Sequence, residues 1–131
     1  MNQQRREKRE LPGEAAGLDR RVELAYLAAF YGGMLTDRQQ DMLRMHCEED
    51  LSLGEIAQEA GISRQAVHDV LVRTAQKLFD LEKRMGLAHR FRRMEDGLEN
   101  CLNALEIEDY QAAKLLLQNL ISLDQEENHG L

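Results

Sequence analysis

Apolar residues recur at intervals of three and four along most of this chain, and no convincing run alternates with a period of two. That spacing gathers them on one side of a helix, so the chain reads as all-α. Val22, Leu24, Leu27, Phe30 and Tyr31 mark a first helix, with Asp19 as its cap and Gly32-Gly33 closing it. Thr36 and Gln39 have the spacing of a capping box, in which two side chains satisfy two backbone N–H groups reciprocally. They open a second helix whose inner face is Met42, Leu43, Met45 and His46. A polar break at Glu48-Glu49-Asp50 follows.

The next stretch, Leu53–Val70, has the form of a helix-turn-helix. Ser52 and Glu55 repeat the capping box, and Ser63 suits the N-cap of the following helix. Ala57 is small where two helices must approach closely. Gly61 stands where the turn needs a positive φ, which a residue without Cβ adopts at little cost. Ile56, Ala60, Ile62, Val67 and Val70 are expected to join the two helices.

The fourth helix continues past the usual end of that motif. Val67, Leu71, Thr74, Leu78, Leu81 and Met85 form a heptad seam. Gly86 interrupts it, and Leu87, Phe91, Met94, Leu98, Cys101 and Leu105 repeat the spacing. Two readings are open. Both stripes pack inside one chain, or they join two chains; a helix this long outruns a core of three short ones, which favours a homodimer. The expected dimer contacts are Leu78, Leu81, Met85, Phe91, Met94 and Leu98. A last helix opens at Glu108 or Asp109, runs from Tyr110 to Leu123, and frays from Asp124 onward. The expected organisation is a mobile arm over 1–18, a helix-turn-helix domain over 19–105, and a C-terminal helical extension over 106–131.

Composition agrees with a lean helical protein: aromatic residues are 5% of the 131 and Trp is absent. No apolar run reaches the length of a membrane span and no signal peptide is recognisable, so a cytoplasmic location is expected. Cys47 and Cys101 lack paired spacing, and the four histidines show no ligand pattern, so neither a metal nor another cofactor is expected. Ser-His-Asp, HExxH and glycine-rich phosphate-loop patterns are missing too, which argues against an enzyme.

The net charge of −7 is unevenly spread. Residues 63–93 carry eight basic side chains against three acidic ones, whereas 94–131 carry one against nine. Positive charge thus gathers on the second helix of the motif, where a phosphate backbone would be met. Ser63, Arg64, Gln65, His68, Arg73, Lys77 and Arg84 are the candidate nucleic-acid contacts. The first turns meet base edges in this motif, and Arg73 and Lys77 suit phosphates. Asp69 is expected to pair with Arg73, four residues on.

These residues carry a resemblance. Tyr31…Leu35-Thr36…Arg38-Gln39, the run Ser52-Leu53-Gly54-Glu55-Ile56-Ala57, and Ser63-Arg64-Gln65-Ala66-Val67 resemble the YlxM-like helix-turn-helix proteins of Gram-positive bacteria, over about Arg21–Leu105. The motif also looks like region 4 of bacterial sigma factors. The resemblance implies an all-helical, non-enzymatic accessory protein of the signal recognition particle pathway, because the family's gene lies beside those of the particle's GTPases. Its partners would be the particle's RNA, its GTPase, or both. The alternative is a dimeric regulator that reads duplex DNA.

Overall fold

A computed structural model of the chain describes residues 18–129, which are helix and turn with no strand among them. The helices are α1 (Leu18–Tyr31), α2 (Asp37–Cys47), α3 (Leu53–Ala60), α4 (Arg64–Met85), α5 (Leu87–Glu106) and α6 (Tyr110–His129), with a 3-10 turn at Gly32–Met34. The expected arm lies outside the described residues except for Leu18, which begins α1. Asp19 therefore falls in the first turn of that helix and not at its cap. The chain clusters into two compact units that meet between Gly86 and Leu87.

In the first unit α4 packs against α1, α2 and α3. Both capping boxes form as the spacing predicts. Thr36 Oγ1 accepts from Gln39 N while Thr36 N donates to Gln39 Oε1, and Ser52 and Glu55 repeat the exchange. Such a cap is worth about 1 kcal/mol over alanine. The core is built from Leu24, Leu27 and Tyr31 of α1, Met42 and Leu43 of α2, Ile56 of α3, and Val67, Leu71, Ala75 and Leu78 of α4. Each fully buried aliphatic side chain contributes roughly 1.5–3 kcal/mol before entropy is counted. Two polar groups enter this core with partners: Thr74 Oγ1 donates to the Val70 carbonyl at 2.7 Å, and Tyr31 Oη donates to Glu82 Oε1 at 2.6 Å.

The seam expected along α4 resolves in favour of the single chain over most of its length. Val67, Leu71, Thr74 and Leu78 are all buried within it. Leu78 was expected between chains, but it is 0% exposed and holds no surface for a second copy. The physical reason is that α4 is flanked along this stretch by α1 and α2. Leu81 is half-buried and Met85 exposed. Ala60 departs from expectation as well: it is exposed, and Val70 is only half-buried.

The second unit is a hairpin of α5 and α6, joined by three residues. Asp109 N donates to the Ala104 carbonyl at 2.8 Å and Glu108 N to the Leu105 carbonyl at 3.0 Å. This closure places Glu108 at φ 60°, a position usually held by glycine. Asp109 Oδ1 accepts from Ala112 N at 3.1 Å, so Asp109 is the cap of α6. The two helices touch through small residues. A Cβ on Gly97 would lie 2.3 Å from Leu120 Cδ2, and the buried Cys101 lies 3.8 Å from the Ala113 carbonyl. α6 does not fray at Asp124 but runs on to His129. No breaker stops it, and Arg90 of α5 pairs with Asp124 at 2.6 Å.

Candidate nucleic-acid interface

The turn between α3 and α4 has the geometry the motif demands. Gly61 ends α3 at φ 70°, ψ 32°, and its N–H and that of Ile62 both donate to the Ala57 carbonyl. Ser63 is extended, and its Oγ accepts from Ala66 N at 3.0 Å, which starts α4. No acidic residue occupies the first turn of α4. The partial positive charge of that helix end, concentrated on the unpaired N–H groups, is therefore not offset locally.

The candidate residues separate into distinct places. Ser63, Arg64, Gln65 and His68 gather around the first turn and a half of α4. Arg64 and Gln65 are exposed and His68 is half-buried. The Arg64 side chain runs toward the start of α3, with its Cδ 3.8 Å from where a Cβ on Gly54 would sit. Arg73 is exposed too, but nine residues at about 100° each carry it half a turn around the helix from Arg64 and about 14 Å along. Arg84 lies about 30 Å from Arg64 along the axis. With Lys83 it occupies the last turn, where a cation complements the negative end of the helix dipole.

Two expectations change here. Lys77 does not present its ammonium freely: Nζ donates to the Met34 carbonyl at 2.5 Å, because α4 passes the 3-10 turn at that point. Asp69 does not pair with Arg73. Its Oδ1 accepts from Gln65 Nε2 at 3.0 Å and lies 3.8 Å from His68 Nδ1. The hydrogen bond to Gln65 and the approach to His68 hold the Asp69 carboxylate at the first turns of α4. The clasp occupies the Gln65 amide, the group best suited to reading adenine.

Sequence reasoning did not single out an open groove beside the motif. It encloses about 560 Å³ and is lined by Arg38, Met42, Arg44, Met45, Glu59 and Ile62, among others. Arg44 is committed to Asp41 and Glu49 at its edge. On the far side of α2, burial pushes the Cys47 thiol up to about 11; the Arg21 guanidinium opposes the shift and the Glu48 carboxylate adds to it. Among the described residues no cluster of His, Cys, Asp and Glu could hold a metal ion, and no helix is long and apolar enough to cross a membrane.

Residues 18–120 match the UPF0122 family, described as "Putative helix-turn-helix protein, YlxM / p13 like". The chain belongs to that family. Its curated relatives carry the same family designation. A UPF0122 protein of Desulforamulus reducens is 43% identical over 77 residues, covering 59% of this chain and 66% of that protein. One of Symbiobacterium thermophilum is 40% identical over 97 residues, covering 74% and 91%. One of Halalkalibacterium halodurans is 36% identical over 108 residues, covering 82% and 96%. The match takes in both helices of the motif, all of α5 and the first half of α6, so the hairpin belongs to the family pattern as well. A helix-turn-helix family points to nucleic-acid binding, and the description names no catalytic activity.

Proposed function

We propose that this chain is a non-enzymatic accessory protein of the signal recognition particle pathway, acting in the cytoplasm. It binds the particle's RNA through the first half of α4 and takes the particle's GTPase as its protein partner. The pathway comes from the YlxM-like resemblance. The mode of binding rests on one observation: Gln65 is clasped by Asp69 and Lys77 is tied to Met34, while Arg64 and Arg73 are exposed on opposite sides of α4, where each would meet a separate phosphate group. Guanidinium is the planar donor that fits phosphate oxygens two at a time. A-form RNA hides its base edges in a deep, narrow major groove, so a surface that offers phosphate contacts and little base reading fits RNA better than duplex DNA.

A gel shift with the particle's RNA tests the reading. Each neutralised phosphate contributes about 0.7–0.9 to the slope of log affinity against log salt. Arg64→Ala and Arg73→Ala should each lower binding and flatten that slope by about one such step. Asp69→Asn should tighten binding, since it removes a carboxylate that phosphates meet. Unchanged RNA binding at low salt in both arginine variants would refute the reading. Retention of neither RNA nor GTPase in a pull-down would remove its pathway.

A second reading is a sequence-specific DNA regulator, favoured by the position of Arg64 and His68 in the first turns of α4, where base edges are met. Selection from random duplexes decides it: an enriched palindrome supports this reading, and no enrichment sinks it.

A further inference from the structure

We propose that the α5–α6 hairpin is a homodimerisation element, in which a second copy of this chain packs α5 against its α6 to form a four-helix bundle. Phe91, Leu98 and Leu105, seven residues apart on α5, are 48%, 50% and 46% exposed in the complete chain. Tyr110, Leu117 and Ile121 do the same on α6 at 64%, 42% and 58%. Each stripe is displaced by about 70–80° on average, in the same rotational sense, from the line through which its helix meets the other (Gly97 and Cys101 on α5, Ala113 and Leu120 on α6). Equal rotation on two antiparallel helices brings both stripes to the same side of the hairpin. The result is one apolar face, of the kind that marks an interaction surface.

Charge identifies the occupant and its orientation. The outer rim of the face on α5 carries Glu99 and Glu106, with Glu95 and Arg92 of opposite sign beside them, whereas its rim on α6 carries Lys114 between glutamines 111 and 118. Two-fold symmetry allows two ways of stacking a pair of such faces. Placing α5 on the second copy's α5 sets Glu99 and Glu106 against the same pair, which is repulsive. Placing α5 on the second copy's α6, with the two-fold axis parallel to the helices, sets them against Lys114. That symmetry preserves height along the bundle, so the register is already determined by the hairpin. Gly97 lies beside Leu120 and Cys101 beside Ala113, which sets the register to within about one helical turn. Leu98 then lands between Leu117 and Ile121 of the second copy, Leu105 meets Tyr110, and Lys114 falls between Glu99 and Glu106.

This assembly is independent of nucleic acid, so it is measured on the nuclease-treated full chain. Sedimentation equilibrium at micromolar concentration should give about twice the 15.1 kDa chain mass. Leu98→Glu, at an exposed position that leaves folding intact, should raise the dimer dissociation constant about 100-fold or more. Val22→Glu, exposed on α1, should leave it unchanged. A wild-type chain that sediments as a monomer overturns the proposal, as does a Leu98→Glu chain that dimerises as tightly as wild type. Single-cysteine chains in a Cys47→Ser, Cys101→Ala background test the pairing. Leu98→Cys and Leu117→Cys chains should cross-link when mixed and not separately. A Leu98→Cys chain that cross-links with itself overturns the α5-on-α6 arrangement.

Discussion

Replacing Gly97 by alanine pits two effects of known sign against each other at one atom. In a helix interior the change gains about 1 kcal/mol, because glycine loses more backbone freedom than alanine on folding. The new Cβ, however, would stand 2.3 Å from Leu120 Cδ2 and 2.8 Å from both Cδ1 and Cγ. Because Cγ itself is too close, rotating the end of the leucine does not relieve the contact; Leu120 must change its χ1 or α6 must retreat. Overpacking of this kind costs about 1–3 kcal/mol. Gly97→Ala should therefore be neutral to destabilising by up to about 2 kcal/mol, despite its better helix propensity. The decisive comparison uses Leu120→Ala, which removes the obstructing atoms. In that background the same Gly97→Ala change should stabilise by about 1 kcal/mol, giving a coupling of about 1–3 kcal/mol in the double-mutant cycle. Amide exchange of the α5 residues after Gly97 reads the stability of the hairpin without averaging over the other unit. Equal stabilisation in both backgrounds would show that the helices do not approach each other as closely as argued.

Two further outcomes follow from single residues. With its thiol pushed up to about 11, Cys47 should react with iodoacetamide at pH 8 about tenfold or more slower than an ordinary thiol near 8.5, and its rate should rise tenfold per pH unit well past pH 9. Labelling at pH 8 as fast as in the urea-unfolded chain would contradict this. Gly61→Ala meets no atom within 4 Å, so its cost of about 1–2 kcal/mol arises from φ 70° alone. Gly32→Ala, equally open but not in the left-handed region, should leave the melting temperature almost unchanged.

The motif was legible because each of its requirements is local. A capping box is two residues three apart, and a left-handed turn names its own residue at Gly61. The same holds for Asp109, one of two caps the sequence offered for α6. What a stripe of apolar residues packs against is not local. Leu78 and Leu98 occupy equivalent places in two similar heptad runs, yet one is sealed against neighbouring helices and the other is half exposed. Their spacing is the same, and only the three-dimensional arrangement of the other helices separates them. In the site, Asp69 had donors four residues away on both sides. Both lie four residues from it, so spacing alone does not choose between them. Gly97 was the one missed signal: a glycine inside a helical pattern often marks a close approach.

The Tyr31–Glu82 hydrogen bond joins residues 51 positions apart, and its consequence is temporal. At about 5–20 residues per second, the ribosome adds the intervening chain over roughly 3–10 s. Throughout that interval α1 has been made while the helix that covers Leu24, Leu27 and Tyr31 is still incomplete. The hairpin that follows closes over a three-residue connection, and its Arg90–Asp124 pair spans 34 positions, so its own wait is shorter. The newborn chain thus presents its apolar N-terminal helix to the cell for seconds, and chaperone capture or aggregation during synthesis should depend on α1 far more than on the hairpin.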